Sequence, residues 1–99
     1  MKQIVISDDV VKQFPDEKQY LFKHIITNKI KVSLEHNFYK IKPVRVKNKK
    51  CYEMKIVLDK QSYRIAFELN KEKINVFFIS SILVKKIFDK EVNKLCKNK

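Results

Sequence analysis

Lys55 and Arg64 are the residues whose types and spacing could do chemistry together. Each sits in an alternating segment, Cys51–Leu58 and Ser62–Leu69, and a third such segment, Lys73–Ser80, follows. Alternation makes one face of a strand apolar and the other polar, so Lys55 and Arg64 are expected on one face, directed out of the core. If Leu58 pairs with Tyr63 across an Asp59–Ser62 loop, Lys55 faces Ala66 and Val57 faces Arg64. The two cations then become diagonal neighbours, roughly 7–8 Å apart at the backbone and able to share a ligand. In the same register Glu53 faces Glu68, which is unfavourable unless Lys55 bridges them or one carboxyl keeps a proton. Small Ala66 leaves this face open. Two cations flanking a phosphodiester could neutralise its developing charge while a neighbouring Glu or Lys moves a proton. An ordinary solvated sheet face, with salt bridges worth little, fits the same residues.

The opposite face of the hairpin holds Tyr52, Met54, Ile56, Leu58, Tyr63, Ile65, Phe67 and Leu69. It is the expected core floor, on which N-terminal helices pack. Gln3–Ile6 reads as a short strand, and Ser7, Asp8 and Asp9 can cap a brief helix through Phe14. Pro15, Asp16 and Glu17 start a second helix, with Leu21, Ile25, Ile26 and Ile30 as its buried stripe. Ile30–Leu34 also alternates with period two, and we place the helix end near Ser33, closed by His36 and Asn37 with Asn37 as a left-handed cap. The link Phe38–Lys50 contains Pro43, which disfavours helix, and Val44–Val46, which suits a short edge strand. Its lysine-rich turn, Lys47–Lys50, is either a solvated turn or part of a phosphate-binding rim that also takes in Arg45, Lys47, Lys49 and Lys50.

Composition limits the rest. Ninety-nine residues with 44% hydrophobic content make one modest core, hence a single domain over residues 1–99. The formal net charge is +12, and it is uneven: residues 1–40 hold 7 Lys against 5 acidic residues, and residues 41–99 hold 16 Lys and Arg against 6. Such a charge suits a phosphate-rich partner or an acidic protein; a lysine-biased, solvated face is the plain alternative. No apolar run is long enough to span a bilayer and no leader pattern opens the chain, so a cytoplasmic protein with no membrane association is expected. Cys51 and Cys96 are then expected as free thiols. Two Cys and two His at scattered spacings make no metal site, and neither a metal nor a small-molecule cofactor is expected. His24 and His36 read as structural or exposed.

Tyr52-Glu-Met-Lys-Ile, Tyr63-Arg-Ile-Ala-Phe and Lys73-Ile-Asn-Val-Phe-Phe-Ile-Ser80, followed by Lys85, Lys86 and a closing helix, resemble the RelE/HigB-like toxins of bacterial type II toxin–antitoxin modules. The resemblance covers about residues 42–95. It implies an α+β fold, with two N-terminal helices packed on a twisted, mainly antiparallel sheet of three to five strands and a short C-terminal helix. It also implies a ribosome-dependent mRNA endoribonuclease, in which the 2′-hydroxyl attacks the adjacent phosphate and expels the 5′-oxygen, and a cognate antitoxin that silences it. A non-catalytic RNA-, ribosome- or antitoxin-binding module on the same scaffold is the alternative. Carried over, Arg64 matches the arginine that binds the scissile phosphate, Lys55 a basic residue for binding or proton transfer, and Lys85 and Lys86 a pair stabilising transition-state charge. Phe88 stands where several members carry a Tyr or His proton donor; it can stack on a base but cannot give a proton. Glu53 stands where some relatives carry lysine and dilutes the cationic site.

Overall fold

The computed structural model describes residues 2–97. Gln3–Ile6 forms β1, and Ser7 caps the one-turn helix α1 (Asp8–Val11) by accepting from the Val10 N–H. Phe14 lies beyond that helix and packs edge-on against Phe22, with ring centroids 5.0 Å apart. Pro15 introduces a 3-10 turn over Asp16–Lys18, which leads into the long helix α2 (Gln19–Glu35). The buried stripe of α2 is Phe22, Ile26, Ile30 and Ser33; Leu21 is exposed and Ile25 half-buried, so the stripe is rotated from the expected one. Asn37 has φ −132°, so α2 ends without the expected left-handed cap.

A 3-10 turn, Phe38–Lys40, precedes β2 (Lys42–Val46), which carries Pro43 on an edge strand where the missing N–H is tolerated. Strands β3 (Lys49–Leu58), β4 (Gln61–Leu69) and β5 (Lys73–Ser80) form a meander, and helix α3 (Lys85–Lys97) ends the described chain.

The five strands lie in the order β1-β5-β4-β3-β2. β1 runs parallel to β5, with Gln3 opposite Lys73 and Ile6 opposite Val76, and the other pairs are antiparallel. This corrects the expected architecture of two N-terminal helices on an antiparallel sheet. The sheet is mixed, β1 opens it, α1 is a single turn, and α2 is the one long helix after that strand. The short apolar run Gln3–Ile6 states that a strand exists there, whereas its partner lies some seventy residues along the chain and is chosen only by tertiary packing.

The β3–β4 register is also corrected. Leu58 pairs with Gln61 across the two-residue turn Asp59–Lys60, and both turn residues have positive φ, 52° and 68°. That type I′ geometry suits the right-handed strand twist better than a longer loop. Lys55 therefore lies directly opposite Arg64, and Glu53 opposite Ala66. The shift from the expected pairing is two residues on one strand, which leaves every side chain on its expected face.

One face of the sheet carries the main core: Met54, Ile56, Leu58, Ile65, Phe67, Ile74, Val76 and Ile79, with Val10, Phe14, Phe22, Ile26 and Ile30 above them. The other face is covered too. Phe88 and Val92, one turn apart on α3, are both fully buried and pack with Val44, Cys51 and Ala66. A bulge at Ala66/Phe67, opposite Val76–Phe78, kinks β5 where Phe77 and Phe78 join this second cluster.

Candidate nucleic-acid interface

Arg64 is held beneath α3. It is only 6% exposed, and its Nη1 donates to the Glu53 carboxylate, itself 1% exposed. Its Nη2 donates to the Leu83 carbonyl at 2.6 Å, in the link between β5 and α3, and the guanidinium carbon lies 5.8 Å from the centre of the Phe88 ring. Arg64 thus ties β4, β3, the β5–α3 link and α3 together at one point. Its Nε is buried and has no partner among the described residues. The expected Glu53–Glu68 opposition does not arise: Glu68 faces Cys51, and the Glu53 charge is met by Arg64 rather than bridged by Lys55.

Lys55 shares Arg64's face but is exposed. Beyond it the sheet opens into a groove of about 600 Å³, because β2 pairs with β3 only as far as Lys42 and Glu53. The groove is lined by Lys29 from α2, Tyr39 and Lys40 from the 3-10 turn, Lys42 from β2, Glu53 and Lys55 from β3, Arg64 from β4 and Lys85 from α3, among others. Lys85 is committed to Asp89 at 2.9 Å and to the Pro43 carbonyl at 3.1 Å. Lys29, Lys40, Lys42 and Lys55 form no ion pair with any described residue. Four uncompensated ammonium groups around one concavity attract polyanions, and their field is strongest where the walls limit water. Tyr39, 74% exposed, puts an aromatic face and a hydroxyl at the rim.

The remaining sequence-derived candidates divide. Lys55, Arg64, Glu53 and Lys85 come together at the groove. Lys86 does not: it lies over a separate depression with Asp89, Lys90, Asn93 and Lys94, since adjacent helix residues point about 100° apart. Arg45, Lys47, Lys49 and Lys50 cluster around the β2–β3 hairpin instead. Arg45 and Lys50 are paired on the sheet face opposite Lys55, so they do not join the Lys55 site. The stacking role expected of Phe88 is corrected, because its ring is fully buried between the sheet and α3, 5.4 Å from Phe78, and no base can reach it. Lys29, Tyr39, Lys40 and Lys42 were not expected in the site. The run Phe38-Tyr-Lys-Ile-Lys42, aromatic residues interleaved with lysines, was the signal in the sequence for the last three.

His24 and His36 are both exposed and away from the groove lining. Among the described residues no group of three or more His, Cys, Asp or Glu side chains is placed to hold a metal, and no helix is long and apolar enough to cross a membrane. No protein-family model, curated protein or solved structure matches the chain.

Proposed function

We propose that this protein is the toxin of a type II toxin–antitoxin module, acting in the cytoplasm as a ribosome-dependent mRNA endoribonuclease and silenced by an acidic cognate antitoxin. The observation that carries the reading is the groove with four unpaired lysines, Lys29, Lys40, Lys42 and Lys55, and exposed Tyr39 at its rim. Those lysines would displace the counterions condensed on RNA phosphates, and a base would stack on Tyr39. In the cleavage step the 2′-oxygen bonds to phosphorus while the bond from phosphorus to the 5′-oxygen breaks. One proton leaves the 2′-hydroxyl and another is delivered to the departing 5′-oxygen. Lys55, exposed beside Arg64, is placed to neutralise the charge that builds on the phosphate oxygens. The Tyr39 hydroxyl or a lysine ammonium group would deliver the proton to the 5′-oxygen, and water would take the one from the 2′-hydroxyl. An antitoxin with an acidic segment would occupy the same lysines.

A second reading, a non-catalytic RNA- or ribosome-binding module, is favoured by the Glu53–Arg64 pair. A guanidinium whose Nη1 and Nη2 already serve Glu53 and Leu83 has less to offer a phosphate. Induced expression in bacteria, followed by growth, translation and mapping of mRNA 5′ ends, tests both. Growth arrest with codon-phased new ends, relieved by Lys55→Ala, is the expected result. Growth equal to that of an empty vector removes the toxin reading, and ribosome binding without new ends selects the module.

A further inference from the structure

Cys51 and Cys96 meet across the second layer of the fold. Cys51 lies on the α3-facing side of β3 and is buried, while Cys96, half-buried, lies near the end of α3 and packs against the same cluster as Phe88 and Val92. The stripe Phe88, Val92, Cys96 advances by four residues each time, so the contacts that hold α3 down end at this thiol. Both thiols also line a cavity of about 230 Å³, together with Lys49, Glu68 and Asn75, which gives a reagent an approach.

We propose that Cys51 and Cys96 are a reversible thiol–disulfide site, oxidised by a low-molecular-weight disulfide, whose closed form fastens the end of α3 to β3. Cys96, the more accessible of the two, attacks the reagent: its sulfur bonds to one reagent sulfur and the other departs as a thiol. Cys51 then attacks the Cys96 sulfur and expels the second reagent thiol. The protein loses two electrons and two protons, and the reagent disulfide becomes two thiols. Burial pushes the Cys51 thiol up to about 11, with Cys96 and Glu68 adding to the rise and Lys49 opposing it. The second step therefore quickens as pH rises. The cross-link matters because α3 holds Phe88 against Arg64, so a fastened helix keeps the Glu53–Arg64 pair enclosed. The chemistry does not depend on the function proposed above.

Reduced protein incubated with oxidised glutathione at several pH values, then alkylated and weighed by mass spectrometry, tests the site. The expected product is a monomer that has lost both thiols, carries a 51–96 cross-linked peptide and is restored by dithiothreitol. Proteolysis within α3 should slow about tenfold or more in that form, as a cross-link suppresses local opening. In Cys96→Ser the buried Cys51 should stay unmodified, and in Cys51→Ala the reaction should stop at glutathionylated Cys96. Wild-type protein that stops at a glutathione adduct on Cys96, or that forms only intermolecular dimers, overturns the proposal.

Discussion

Glu53→Ala removes the carboxylate that faces the Arg64 guanidinium and leaves a cation enclosed by Phe88, Leu83 and the sheet. Glu53 is 1% and Arg64 6% exposed, so little water can replace the lost partner. Removing one member of a buried pair costs about 3–5 kcal/mol, because the surviving charge is uncompensated. A domain of this size is stable by about 5–15 kcal/mol, so the substitution consumes about a fifth or more of that margin. With a urea slope of roughly 1–1.5 kcal/mol per molar, the unfolding midpoint should fall by about 2–5 M. Arg64→Met should cost a similar amount by stranding the Glu53 carboxylate. The double variant Glu53→Leu/Arg64→Met should return to within about 1 kcal/mol of the parent, since an apolar pair of like volume avoids the desolvation of both ions. Urea unfolding of the parent, Glu53→Leu, Arg64→Met and the double variant closes the cycle. Single variants that each cost under about 1 kcal/mol and combine additively would refute the buried-pair argument, since that is the behaviour of hydrated surface charges.

The β3–β4 turn and the Cys51 thiol give further expectations. Lys60 holds φ 68° without being glycine, so Lys60→Gly should stabilise the hairpin by up to about 1 kcal/mol and raise the melting temperature by several degrees; an unchanged or lowered melting temperature contradicts this. The Cys51 thiol is raised from 9.0 to about 11 by burial first, so the folded state keeps its proton over a range where the unfolded chain has lost it. Its contribution to stability is therefore complete below pH 9.0 and is lost as pH rises through about 11. Urea midpoints measured across that range should fall with pH in the parent and fall less in Cys51→Ala.

The strands β3, β4 and β5 were legible because a period of two survives any pairing, and the core face of the hairpin was legible for the same reason. A register error of two residues moved Lys55 from opposite Ala66 to opposite Arg64 without changing its face. Hidden from the sequence was the layer over the other face. Glu53 and Arg64 read as solvent-facing by type, yet both are buried, and Arg64 lies against Phe88 of a helix that begins five residues after β5. Ala66 and Cys51, small or apolar residues on the nominally polar face, were the available hint of a cover. The parallel partner of β1 was hidden because a four-residue strand carries no record of its neighbour. The composition of the run around Tyr39, Lys40 and Lys42 was visible, but their place was not, because a linking segment has no periodicity from which to place side chains. Only the early end of the β2–β3 pairing brings them beside Lys55.

The groove is tested most directly by titrating a short single-stranded RNA against the protein over a range of salt concentrations, beside the combined variant Lys40→Ala/Lys42→Ala/Lys55→Ala. Four unpaired lysines predict that log affinity falls with log salt with a slope near −3, and that removing three of them flattens the slope by about 2. Affinity that does not respond to salt, or a triple variant that binds as the parent does, would contradict an RNA-binding groove at this site.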